Sequence, residues 1–239
     1  MDSSLYAASS VLVAHLRAQE ISAHNLANVT TPGFKRHVPL FQPFQAELDS
    51  AAAGQGDYVV DFSRGAMEHT GNPLDLAVDG KGFFVLEGPG GYLYTRKGNF
   101  SLSDKDLVVD AVGRPVLTDS GSKLHVPSGT REIRVEEGGT VYADGGAIGR
   151  VWVVDFETPE RLLPAAYTTF ADPGGEPAPA TVAKPRVVQG VLEGSNTNPV
   201  EEMVSMIATL RSFESAQRVI RSIDESLKEA AAAANKVAS

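Results

Sequence analysis

Hydrophobic positions follow two different rhythms along this chain. Near the N-terminus, Leu5, Leu12, Gln19 and Leu26 recur every seventh residue, and Ala8, Leu16 and Ala23 fill neighbouring positions of the same stripe. A seven-residue apolar repeat marks a helix with a seam for a partner. The spacing predicts a helix over about Ser4–Asn28. Asp2 and Ser3 are suited to accept its first free N–H groups. Pro32 pushes Thr31 out of the helical region, and Gly33 permits a turn with positive φ.

The C-terminal segment repeats the pattern. In "SNTNPVEEM", Asn198 is placed as an N-cap, Pro199 as the first helical residue and Glu201 as the third. Two seven-residue rows follow: Met203, Leu210 and Gln217 in one, and Met206, Phe213, Ile220 and Leu227 in the other. Ile207 lies between them. The middle of the chain has a period of two instead. The runs "DLAVDG", "GFFVLE", "GYLYTR", "DLVVD", "REIRVEEGGTVYA" and "GRVWVVDF" alternate with turn signals, and Glu137-Gly138-Gly139 marks a hairpin. About ten antiparallel strands are expected between residues 70 and 156. Residues 171–185 read as a Pro-rich loop.

The expected fold class is α+β. Residues 1–34 and 191–239 are predicted to form a discontinuous domain of two terminal helices paired as a coiled coil. Residues 35–70 would be an extended connector, and residues 71–190 a mainly antiparallel β domain inserted between the helices. One lateral helix pair covers only part of two such stripes, so further copies of the same or similar chains are expected to cover the rest.

Composition narrows the function. The 239 residues are 42% hydrophobic, which is enough for a packed core. Thirty acids against 21 Lys plus Arg give a net charge of −9, which argues against nucleic acid or an anionic membrane as partner. The absence of cysteine excludes disulfides and thiolate chemistry. The N-terminus lacks the unbroken apolar core of a cleavable signal, and no run reaches the length of about 18 apolar residues needed for a membrane span.

Candidate chemistry is sparse. "DGKG" at residues 79–82 lacks the spacing and the Ser/Thr of a phosphate-binding loop. "DKDLVVD" lacks the Gly and Glu of a calcium loop. The five histidines show no metal-ligand spacing. Asp75, Asp79 and Asp110 are the acids an enzyme in the β region would have to use. The expectation is therefore no catalytic site, no metal, no cofactor and no small-molecule substrate.

The motifs carry a resemblance. "NLANVTTPGFKR" resembles the N-terminal signature of bacterial flagellar rod and hook proteins, held here by Asn25, Leu26, Ala27, Asn28, Thr31, Pro32, Gly33 and Phe34. "GVLEGSNTNPVEEMVSMIATLRSFESAQRVI" is similar to their C-terminal segment, and "PLDLAVDGKGFFVL" and "YTRKGNFSL" to their central β motifs. The resemblance implies a structural subunit of the basal-body rod, most like a proximal one. A distal rod subunit and a rod-associated cell-wall hydrolase are the alternatives. It further implies axial assembly through the terminal helices, torque transmission, and a contribution to the wall of the export channel. The implied partners are other rod subunits and copies of itself, the type III export apparatus and surrounding ring proteins. The implied location is the periplasmic rod, reached without a cleaved signal.

The expected assembly interface comprises Leu5, Leu12, Leu16, Asn25, Leu26, Asn28, Met203, Met206, Ile207, Leu210, Phe213, Ile220 and Leu227. Asn25 and Asn28 share a helix face at a spacing that suits poor helix formers only if they have another task. Asn28 is expected to end the helix. Asn25 is expected to bond to a neighbouring helix or connector and to set register, so that Leu in its place would raise the stability of the helix pair.

Overall fold

The computed structural model describes residues 2–40, 58–174, 180–182 and 184–237, with side chains described except at 2–9, 224, 227 and 229–237. The side chains of Leu5 and Leu227 and most of the expected connector, residues 41–57, lie outside the described residues. The chain divides into two compact units. Unit 1 is Met1–Ala27, His37–Val60 and Asn198–Ser239, and unit 2 is Asn28–Arg36 and Asp61–Thr197. The expected boundaries near 34 and 191 thus fall elsewhere: residues 28–34 and 191–197 belong with the β structure.

Unit 1 holds two helices, α1 (Asp2–Ala27) and α2 (Pro199–Val237), and a strand pair. The pair joins β1 (His37–Pro39) to β2 (Tyr58–Val60) antiparallel, with Val38 opposite Val59. α2 begins where its sequence says it should. Pro199 is its first residue, and the Val200 N–H donates to Asn198 Oδ1 at 3.1 Å. At 39 residues it extends about 58 Å at about 1.5 Å per residue. No helix among the described residues is long and apolar enough to cross a membrane.

The helix-and-strand content agrees with an α+β class, but the expected coiled coil is not formed among the described residues. α1 and α2 do touch, yet the seam residues do not interlock. Leu16 is 46% exposed, Met203 45%, Ile207 54% and Leu210 43%. The buried face of α1 is rotated by about one residue from the heptad row. It consists of Ala18, Ile21, Ser22 and Asn25, spaced i, i+3, i+4 and i+7, which is the period of an ordinary helix packed on one side. On α2 the row of Met206, Phe213 and Ile220 is half-covered, and the one fully buried side chain described is Glu202. Among the described residues the most enclosed groups of the two helices, Asn25 and Glu202, are polar and lie near one end of each.

Unit 2 is built from short antiparallel strands. They are β3 (Met67–His69), β4 (Leu76–Val78), β5 (Phe83–Gly88), β6 (Gly91–Thr95), β7 (Ser101–Leu102) and β8 (Val108–Val109). There follow β9 (Ile133–Val135), β10 (Thr140–Ala143), β11 (Gly146–Arg150), β12 (Val153–Val154) and β13 (Leu163–Pro164). The last three are β14 (Thr169–Ala171), β15 (Val187–Gln189) and β16 (Val191–Glu193). The largest sheet has the order β12-β5-β6-β14-β13, a second has β11-β10-β9, and β4, β3 and β7 pair with β15, β16 and β8. The hairpin expected at Glu137-Gly138-Gly139 joins β9 to β10, with Gly139 at φ +84°.

The core contains Leu76, Val78, Phe84, Leu86, Val116, Leu124, Val126 and Val141, with Phe84 edge-on to Phe100 at 5.3 Å. Trp152, between β11 and β12, is buried and donates from Nε1 to Thr181 Oγ1 at 3.1 Å. The last strand, β16, ends at Glu193, so the C-terminal side of the β body delivers a carboxylate into the interior.

Candidate functional site

The asparagine that stood out in the sequence has an internal partner. Asn25 is 1% exposed. Its Oδ1 accepts the His37 N–H at 2.9 Å, and its Nδ2 donates to the His37 carbonyl at 2.7 Å and to Glu202 Oε1 at 3.3 Å. A primary amide carries the same donor and acceptor as a peptide bond. Asn25 therefore pairs with the backbone of β1 as a neighbouring strand would, while remaining on a helix. Glu202 lies in the first turn of α2, where its charge also faces the positive end of the helix dipole.

The His37 ring is stacked between His24, with ring centres 4.9 Å apart, and Tyr58, at 4.2 Å. Burial, and secondarily the proximity of His24, lower the His37 pKa to about 4. Asn28 marks the end of α1 in a different way. Its carbonyl accepts the Thr31 N–H at 3.0 Å and its Oδ1 accepts the Thr31 hydroxyl at 3.2 Å. Gly33 then turns with φ +66°, against the backbone of Lys97, where a Cβ would overlap.

The stronger feature lies in unit 2, three residues after Pro32. Lys35 and Glu193 are both fully buried, with Lys35 Nζ 2.6 Å from Glu193 Oε1. Arg96 Nη1 approaches Glu193 Oε2 at 3.3 Å. Other donors of the two cations reach backbone carbonyls. Lys35 Nζ donates to Ser63 O at 2.7 Å, Arg96 Nη1 to Val78 O at 3.3 Å and Arg96 Nη2 to Gly80 O at 2.9 Å. Glu193 Oε1 also accepts the Gly65 N–H at 3.1 Å. Burial pushes the Lys35 ammonium below the ordinary lysine range, and the charge of Glu193 opposes that shift. Arg96 is lowered for the same reason.

Asn196 completes the arrangement. Its Oδ1 accepts the Arg36 N–H at 2.7 Å, and its Nδ2 donates to Asp61 O at 2.8 Å and Ser63 O at 3.2 Å. Backbone bonds run from Gly33 N to Glu193 O at 2.7 Å and from Gly194 N to Ala66 O at 2.7 Å. Three segments distant in sequence, 33–36, 61–66 and 193–196, are thereby tied into one cluster. The backbones approach so closely that a Cβ on Gly65 would overlap the Gly194 carbonyl.

Of the signature residues, Gly33 and Phe34 belong to this cluster's segment and Asn25 to the unit 1 contact, whereas Leu26 is half-buried and Ala27 exposed. The sequence reading missed Lys35, Arg96, Glu193, Asn196 and Glu202. A single lysine in "PGFKR" carries no periodicity, and only the fold shows that its partner is 158 residues away. The three acids an enzyme would have needed are engaged. Asp75 accepts from Thr70 Oγ1 at 2.6 Å and Asn72 Nδ2 at 3.2 Å, Asp79 pairs with Arg64 and Arg186, and Asp110 pairs with Arg114 at 2.6 Å. A cleft of about 360 Å³ beside Phe83 is lined by Asp61, Asp155, Glu157 and Glu160 and by none of those three.

With the geometry in place, comparison with known proteins is direct. Residues 5–35 match the family described as Flagella basal body rod protein. Residues 77–143 match Flagellar hook protein FlgE/F/G D1 domain, and residues 188–233 match Flagellar basal body rod FlgEFG protein C-terminal. A curated relative from Caulobacter vibrioides, named Flagellar basal-body rod protein FlgF, is 30% identical over 99% of this chain and 100% of its own length. The chain belongs to the flagellar basal-body rod protein family. The FlgF of Salmonella typhimurium is 32% identical over 94% of this chain and 95% of its own, while the FlgG of Bacillus subtilis is 28% identical over 88% and 90%. Within the rod family, the chain is most like FlgF. The matches at both ends include the polar residues just described: Asn25 and Lys35 in the first, Glu193, Asn196 and Glu202 in the last.

The geometry reverses the expected effect of an apolar residue at position 25. Asn25→Leu strands the His37 N–H and carbonyl, and thermal unfolding followed by helical circular dichroism should show a loss of about 1–3 kcal/mol. In the ionic cluster the two partners of Glu193 are unequal to its loss. Glu193→Gln leaves two buried cations facing each other and should cost about 3–5 kcal/mol. Lys35→Met leaves Glu193 paired with Arg96 and the Gly65 N–H, so it should cost clearly less in denaturant unfolding followed on Trp152. The reverse order would contradict the assignment of Glu193 as the hub. The pH dependence follows from His37. Its folded pKa of about 4 lies below the ordinary histidine value of 6.5, so the unfolded chain binds the extra proton between them. Stability from this group is present above pH 6.5 and is lost as pH falls towards 4. His37→Phe should flatten the helical circular dichroism signal across that window relative to wild type.

Proposed function

We propose that this chain is a structural subunit of the flagellar basal-body rod, placed in its proximal part and joined to other rod subunits and to copies of itself through its terminal helices. The observation that carries the reading is the outer face of α2. Val200, Met203, Val204, Ile207 and Leu210 are 62%, 45%, 62%, 54% and 43% exposed. They follow the i, i+3, i+4, i+7 spacing of a buried helical face. Val11, Val13 and Leu16 on α1 are exposed as well. Continuous apolar surface of this kind is costly in water and marks contact with another protein. In this reading Leu12, Leu16, Met203, Ile207 and Leu210 contribute to contacts between subunits, and Asn25, Met206, Phe213 and Ile220 to the internal arrangement that presents them.

The function is mechanical: a length of the shaft that carries torque and encloses the export channel. Its location is the basal body, and the type III export apparatus and surrounding ring proteins are its further partners. The family is a structural one, and the engaged states of Asp75, Asp79 and Asp110 support reading this chain as a building block.

Leu210→Asp tests the reading. A carboxylate placed in a helix–helix contact would have to be desolvated without a partner. Expected are wild-type protein levels, an unchanged melting curve for the isolated chain because residue 210 is already exposed, and loss of incorporation into purified basal bodies with loss of swimming. Normal swimming would show that this face is not an interface.

A further inference from the structure

We infer that Lys35, Arg96 and Glu193 form a latch, a small cooperative element that opens and recloses as one piece while the β core stays folded. Opening it parts segments 33–36, 61–66 and 193–196 from one another in a single step.

Three observations support this. First, the segments hold one another and share one acceptor. Glu193 receives Lys35, Arg96 and the Gly65 N–H, and its own carbonyl receives the Gly33 N–H. Asn196 spans from Arg36 to Asp61 and Ser63. Loss of any one contact leaves buried polar groups on the other segments, so partial opening is worse than full opening.

Second, two buried cations are ion-paired with one and the same carboxylate, and the buried Arg96 Nε has no acceptor among the described residues. Hydration is regained on opening, a drive that an apolar core lacks. The lowered pKa of Lys35 has the same origin. Third, the cluster lies beside the apolar core, which it meets where Arg96 Nη1 donates to the Val78 carbonyl. Phe34, next to Lys35, is buried but does not belong to the packed group around Phe84, Leu86 and Val116. Locally stabilised elements of this type open below the global unfolding free energy. The tight approach of Gly65 to the Gly194 carbonyl makes the closed state a discrete fit.

Amide exchange on the full chain, followed by NMR, reads the latch directly. The reporters are the N–H groups of Gly33, Arg36, Gly65 and Gly194, each bonded across two segments. The references are Val85 and Leu117, whose N–H groups bond to Trp152 O and Val85 O within the β body. In wild type the four reporters should exchange at a common protection level, below that of the references. Glu193→Gln should accelerate all four together by about tenfold or more, with the references remaining better protected than the reporters. Lys35→Met should accelerate the same four by a smaller common factor. The proposal is overturned if the reporters respond independently, if any keeps its wild-type rate in Glu193→Gln, or if the reporters and the references show one and the same protection level in wild type. Should Glu193→Gln fail to fold, Lys35→Met decides by the same criteria.

Discussion

The buried carboxylate of Glu193 sets the conditions that the rest of unit 2 has to meet. It is 0% exposed, and a carboxylate enclosed in this way needs cations and N–H donors around it. Those groups come from positions 158, 128 and 97 residues away. Loop closure is a minor part of the expense, because doubling a loop adds only about 0.6 kcal/mol. Desolvation dominates, at several kcal/mol per ion. A core of Leu and Val would be more stable at that spot. An ionic cluster instead admits one set of partners in one geometry, so it selects an arrangement more than it adds stability. The short strands, the glycine contacts and the path of residues 33–36 all comply with that geometry.

Unit 1 solves a related problem with a neutral group. Asn25 binds the His37 backbone as a peptide would, and a single amide joins a helix to a strand and to the first turn of another helix. A neutral amide costs less to bury than a charge. The two sites also bracket the places where the chain passes from one unit to the other. Asn25, His37 and Glu202 lie just on one side of those passages, and Lys35, Asp61, Asn196 and Glu193 just on the other. Each unit therefore fixes its own ends of the connecting segments with directional bonds.

Local features were legible in the sequence. Asn198-Pro199 starts a helix because cap and ring act within a few residues, and Gly139 closes a hairpin for the same reason. Gly33 takes positive φ as its position after Pro32 implied. What failed was the step from periodicity to packing. Leu5, Leu12, Gln19 and Leu26 repeat every seventh residue, but the face that is buried contains Ala18, Ile21, Ser22 and Asn25. A repeat shows that a stripe exists. It does not say whether the stripe faces the same chain or another, and a heptad of Leu looks alike in both cases. Asn25 was noticed because Asn is out of place in a helix. Lys35 and Glu193 were invisible because a lysine and a glutamate are ordinary surface residues until a fold encloses them.

Beside its apolar core, the chain encloses several polar groups and leaves an apolar helix face exposed. Charged and amide groups are enclosed at Lys35, Arg96, Glu193, Asn25 and Glu202, while Val200, Met203, Val204, Ile207 and Leu210 face outward. If the chain joins other subunits through apolar helix faces, as proposed above, this has a physical logic. Hydrophobic contact is non-directional and takes any apolar partner of suitable shape. Had apolar patches also held the internal connections, the same side chains could satisfy either the subunit's own fold or a neighbour's surface, and the two would compete. Buried hydrogen bonds and ion pairs cannot be satisfied by a neighbour's Leu or Val, so they hold the subunit's shape against that competition. The apolar surface is then left for association alone.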